Sequence, residues 1–127
     1  MWYNKHIIRN EVIKTAKRKP KFIIKEEDGV VVAILQNTSM DLINLLKVDT
    51  DDYRVIEKLL LSDSYKGVAR LADGDEWDEE VGKLVAFEKA YAKYKNAILK
   101  RFKMIKKSLE VSLKQTETVI EDFEKNF

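Results

Sequence analysis

Residues 83–127 run for 45 positions without a glycine or proline, and they carry two opposite faces. Wound at 3.6 residues per turn, Val81, Leu84, Phe87, Tyr91, Tyr94, Ile98, Phe102, Ile105, Leu109, Leu113, Ile120, Phe123 and Phe127 form one apolar stripe. Lys89, Lys93, Lys100, Lys103 and Lys107 lie opposite it. A helix of this length spans roughly 70 Å, about twice the diameter of a small domain. The rest of the chain is too short to cover such a stripe, so a homo-oligomer or a partner complex is expected. Nothing marks a fold-back near residues 93–96, which favours one continuous helix. Ser112 and Thr116 interrupt the stripe, making it a moderate coiled-coil seam rather than a strong zipper.

Charge is segregated along the chain although the net charge is only +2. Residues 1–25 carry eight Lys/Arg and one acid, Glu11. Residues 73–80 carry six acids and no base, and residues 89–107 carry eight Lys/Arg and no acid. Blocks of opposite sign favour contacts between subunits as much as an external anion. With no cysteine, disulfides and thiolate metal sites are excluded. The longest apolar run, residues 30–35, is too short to span a bilayer, so no membrane partner is expected. Met1-Trp2-Tyr3-Asn4-Lys5 leads into polar and basic residues, and a cytoplasmic protein is expected.

The remaining pattern reads as α+β. Residues 3–19 form a first helix, with Ile7, Ile8, Val12, Ile13 and Ala16 on one side and Pro20 ending it. Two β-rich runs, 21–25 and 30–35, flank Asp28-Gly29, which supplies the positive φ of a tight hairpin. Asn37-Thr38-Ser39 offers N-caps for a short helix over 40–47, and Asp49-Thr50-Asp51-Asp52 caps residues 53–61, a segment that also suits a strand. Residues 65–71 read as the third strand, and Ala72-Asp73-Gly74-Asp75 turns it into the long helix. The acids at its start suit the helix dipole. The expected architecture is therefore an N-terminal helix, a three-stranded antiparallel sheet with a helical insert, and a long C-terminal helix. Residues 1–92 form the core domain, and 93–127 extend the helix for oligomerisation or partner binding.

Three pieces of this sequence form a recognisable module: Tyr65-Lys66-Gly67-Val68-Ala69-Arg70, then Asp75-Glu76-Trp77-Asp78-Glu79-Glu80-Val81-Gly82-Lys83, then Leu84-Val85-Ala86-Phe87-Glu88-Lys89-Ala90. It resembles a strand–turn–helix unit in small, mostly uncharacterised proteins of tailed bacteriophages and prophages. Those read roughly G-x-A-(K/R), a turn, D-x-(F/W)-(D/N)-x-x-x-G, then L-A-x-x-(R/K)-A. The resemblance implies a phage accessory protein, a class that includes counter-defence factors which sequester a nucleotide messenger or bind a host protein. Two departures stand out: Asp73-Gly74 replaces the family's Pro-acid turn, and the extension from Lys93 onward is not general to it. The order helix, three strands, helix is also similar to the double-stranded RNA-binding fold. There the last helix opens with bases on phosphates, whereas this one opens with carboxylates.

No catalytic constellation is visible. His6 is the only histidine, which excludes a histidine triad or a multi-histidine metal site. Gly67, Gly74 and Gly82 build neither a dinucleotide fingerprint nor a phosphate loop, so no cofactor is expected. The acids of 73–80 lack the spacing of a calcium loop. For an anionic ligand, the candidate contacts are Arg70, Lys89, Lys93, Lys100, Lys103 and Lys107, with Trp77 available for stacking. Trp77 equally suits a staple holding the helix start to the sheet. The expectation is a non-enzymatic phage-type accessory protein, a counter-defence or host-takeover factor that binds a partner protein or sequesters an anionic nucleotide. The alternatives are nucleic-acid binding through the basic face of the helix, or a structural role in assembling a larger complex.

Overall fold

A computed structural model describes residues 19–47 and 51–126. The helix expected over residues 3–19 falls outside them but for its last residue, as do Asp49 and Thr50 of the expected cap. Strand β1 (Lys21–Lys25) and strand β2 (Val30–Gln36) pair antiparallel, with Lys25 opposite Val30. The chain reverses through a 3-10 turn, Glu26–Asp28, and Gly29 follows at φ 64°. The positive φ falls on the expected glycine, in a longer connection than a two-residue hairpin. Strand β3 (Ser64–Arg70) pairs with β2, Gly67 opposite Ala33, giving the order β1-β2-β3.

Strand alternation sorts the sheet into two faces. One carries Val31, Ala33, Leu35 and Ala69, and these are buried against the long helix. The other carries Ile23, Val32, Ile34 and Val68, with Lys21, Lys66 and Arg70 at its margins. Between β2 and β3 lie two short helices, α1 (Asp41–Leu46) and α2 (Tyr53–Leu59). The segment that suited either helix or strand is therefore helical. Asp52 caps it as expected, its Oδ1 accepting the Arg54 N–H at 3.0 Å.

The expected caps of α1 are not made. Met40 holds the N-cap position without a side-chain bond. The Thr38 hydroxyl donates instead to the Ser62 carbonyl at 2.5 Å, and the Leu61 N–H donates to the Ser39 carbonyl at 2.9 Å. Thr38 is fully buried and closes the two ends of the insert against each other. A long-range partner has outcompeted the local cap.

Helix α3 runs unbroken over Glu79–Asn126, 48 residues. Its seat on the sheet is made by its smallest side chains. A Cβ placed on Gly67 would lie 2.1 Å from the Ala86 carbonyl oxygen and 2.4 Å from the Ala90 nitrogen. A Cβ on Gly82 would meet Val31 at 2.8 Å. Ala86 and Ala90 are fully buried, while Tyr91 is 44% exposed. The expected stripe is thus buried at Leu84 and Phe87, while Tyr91 stays exposed and the alanines beside the stripe make the closest approach to the sheet. Further along, Tyr94, Ala97, Ile98, Phe102 and Ile105 pack on the insert around Leu42, Ile43, Leu59 and Leu61. The packed part of α3 therefore ends at Ile105, past the expected division after residue 92. Every residue from 106 to 126 is exposed.

Candidate binding surfaces

The link from β3 to α3 is built by local chemistry. Gly74 takes φ 87° in a turn closed by the Asp75 N–H donating to the Ala72 carbonyl at 3.1 Å. Asp78 caps α3, its Oδ1 accepting the N–H groups of Glu80 and Val81 at 3.1 and 3.2 Å. Lys83 lies 3.6 Å from Glu79 and 3.7 Å from Glu80, with its ammonium 5.6 Å from the centre of the Phe22 ring. Trp77 is half-buried and packs on the sheet core, as the staple reading requires.

This link and the end of β3 enclose an open cleft of about 450 Å³. Arg70 and Trp77 both line it, so the structure brings these two candidates together. Asp75, Glu76 and Asp78 line it as well. Three carboxylates against one guanidinium oppose an anionic ligand. By its register opposite Val30, Arg70 also belongs to the sheet face away from α3.

Lys89 has a different role from the one its place in the stripe suggests. Its Nζ donates to the Val68 carbonyl at 3.0 Å, on the outer side of edge strand β3. An ammonium on an open strand edge blocks the addition of another strand. Lys93, Lys100, Lys103 and Lys107 are exposed, and no ion pair joins them to other described residues. They form a ladder about 21 Å long, at 1.5 Å per residue. The seven candidates thus occupy three places: the acidic cleft, the β3 edge and the solvent side of α3. They build no single anion pocket.

Two residues hold the insert to α3: Tyr94, which belongs to the expected stripe, and Arg101, which periodicity passes over. The Tyr94 hydroxyl donates to Asp41 Oδ2 at 2.6 Å, and its ring meets Tyr65 edge-on at 5.6 Å. Arg101 donates through Nε to the Leu60 carbonyl at 3.0 Å and through a terminal nitrogen to the Ala97 carbonyl at 3.1 Å. Arg101, like Lys89, is therefore a structural base within the run that reads as solvated. The only sign of this in the sequence is that Arg101 lies beside Ile98 and Phe102 on the helix.

The strand–turn–helix module now has a physical account. Gly67 admits the helix, Ala86 and Ala90 meet it, Asp78 caps, Trp77 staples and Gly82 clears Val31. Each of these residues serves the fold, Asp78 by hydrogen bonds and the others by packing. Among the described residues, no group of three or more His, Asp or Glu side chains is placed to hold a metal ion. Nor is any helix among them long and apolar enough to cross a membrane. No known protein family, curated protein or solved structure matches the chain.

Among the described residues, a run of exposed apolar side chains continues along the outer part of α3. Phe102, Ile105, Leu109 and Leu113 floor a shallow groove edged by Lys106 and Glu110. Leu109 is 65%, Leu113 61% and Ile120 51% exposed.

Proposed function

We propose that this protein works by binding rather than by catalysis, with the outer part of α3 as its recognition element. The observation that carries this is the apolar stripe continuing past Ile105 into solvent. Leaving such surface wet forgoes about 25 cal/mol per Å² that a partner surface would recover. A helix that presents apolar side chains at i, i+3 and i+4 is recognised by another apolar helix face or groove. The assignment to phage accessory proteins rests on the resemblance over residues 65–90; the binding reading stands without it.

The test is a native mass spectrum of the protein purified at low salt from a bacterial lysate. The wild type is expected as a complex, either with itself or with another protein. Leu109→Glu combined with Leu113→Glu is expected as a bare monomer whose thermal midpoint at low micromolar protein matches that of the wild type, since both side chains are exposed in the folded chain. A bare wild-type monomer, or a variant that still assembles, overturns the reading.

A second reading, nucleic-acid binding, is favoured by the lysine ladder on the other side of the same helix. Four phosphate contacts give a log–log salt slope of about −3.6 on duplex DNA. Lys93→Glu with Lys100→Glu is expected to flatten that slope by roughly 2. The absence of DNA retention at low salt removes this reading and leaves the first untouched.

A further inference from the structure

We infer that the outer part of α3 pairs with the same segment of a second copy, antiparallel, about a two-fold axis between Ser112 and Leu113. This deepens the binding reading above and rests on it. Three observations carry it: the spacing of the stripe, the reversal of charge along the helix, and the groove.

Counting the two small polar residues that interrupt the stripe, Ser112 and Thr116, the positions on this face are Phe102, Ile105, Leu109, Ser112, Leu113, Thr116, Ile120 and Phe123, separated by 3, 4, 3, 1, 3, 4 and 3 residues. The series reads the same in both directions. An antiparallel isologous pair requires this property, because residue i on one copy meets residue j on the other and j meets i. The axis then sets Phe102 against the other copy's Phe123, Ile105 against its Ile120 and Leu109 against its Thr116. A heterologous partner places no such demand on the sequence. The stretch from 102 to 123 is about 33 Å of helix, three heptads, the least over which a coiled-coil pattern is diagnostic.

Charge selects the direction. Residues 93–107 carry seven Lys/Arg and no acid, while residues 108–126 carry five acids and two lysines. A parallel pair would stack the two basic halves side by side. An antiparallel pair lays each basic half along the other copy's acidic half. Lys106, on the rim of the groove, then comes within one helical turn of the other copy's Glu117, and symmetry makes that contact twice.

The groove provides the seat. Its floor of Phe102, Ile105, Leu109 and Leu113 begins where the insert stops covering α3, so a second helix entering there continues the packing of the insert. The half-exposed Ile120 reaches it from the other copy, turned toward the same side as Leu109 and Leu113.

The experiment is sedimentation equilibrium together with disulfide mapping, which is clean because the natural chain has no cysteine. The wild type is expected as a dimer. Lys106→Glu or Glu117→Lys alone is expected to weaken it about tenfold, and the two together to restore it, since the ion pairs are reversed rather than lost. Leu109→Cys and Thr116→Cys are each expected to give little cross-linking alone and a 109–116 disulfide when mixed and oxidised. Cross-linking of each variant only with itself overturns the antiparallel arrangement. A wild-type monomer at hundreds of micromolar overturns self-pairing. If the native mass spectrum of the lysate-purified protein then shows a different protein bound, the binding reading survives while this inference fails.

Discussion

Gly67→Ala is expected to remove more than about 3 kcal/mol of stability, enough to unfold a large fraction of molecules in a domain of ordinary marginal stability. The added methyl would sit 2.1 Å from the Ala86 carbonyl oxygen and 2.4 Å from the Ala90 nitrogen, where ordinary contact needs 3.4–4 Å. Both obstacles are main-chain atoms of α3, so no side-chain rotation relieves them. The whole helix must lift from the sheet, and the Lys89 ammonium would leave the Val68 carbonyl with it. Gly82→Ala is the instructive contrast. Its Cβ meets only the Val31 side chain, at 2.8 Å, and replacing a helical glycine returns about 1 kcal/mol. Urea denaturation of the two variants checks the pair. A Gly67→Ala midpoint close to wild type would mean that the helix does not rest on the strand backbone.

Leu84→Ala and Leu109→Ala are expected to separate by several kcal/mol, although both leucines belong to one stripe of one helix. Leu84 is 2% exposed, and truncating it removes about 2–5 kcal/mol through lost burial and the cavity left behind. Leu109 is 65% exposed, so its truncation leaves the monomer's stability within about 0.5 kcal/mol. Denaturation at low micromolar protein reads the first effect without interference from assembly. At high concentration Leu109→Ala becomes visible, because there the stability includes whatever the outer helix binds. A Leu109→Ala loss independent of protein concentration would show that this leucine is packed within its own chain.

These contrasts mark how far periodicity can be read. The length and continuity of α3 were legible because no glycine or proline interrupts 45 residues of 3.6-fold pattern. The hairpin was legible because Asp28-Gly29 can take a backbone few residues tolerate. Periodicity correctly marks Leu84 and Phe87 as buried but misses that Tyr91 is exposed and that the closest approach of α3 to the sheet is made where side chains are smallest. The signal was present as Gly82, Ala86 and Ala90, spaced by four, with the two alanines facing Gly67 in β3 and Gly82 facing Val31 in β2. Lys89 and Thr38 were misplaced for a shared reason. Their partners, the carbonyls of Val68 and Ser62, lie 21 and 24 residues away, beyond any local rule. Arg70 and Trp77, separate candidates in the sequence, line one cleft, where the acids of the same turn close around them and oppose an anionic ligand.

An unbroken α3 has one more consequence, for span. With no flexible joint between its seat on Gly67 and its tip, the helix behaves as a ruler. What grips the region around Ile120 is held about 50 Å from the sheet, at a fixed angle to it. Two copies joined as inferred would display their folded heads about 70 Å apart, as a rigid pair of calipers. A target carrying two epitopes at that distance gains the avidity of simultaneous engagement, and one with any other spacing does not. Inserting one heptad in the middle of the helix would lengthen the calipers without altering either head, changing which targets are measured as a match.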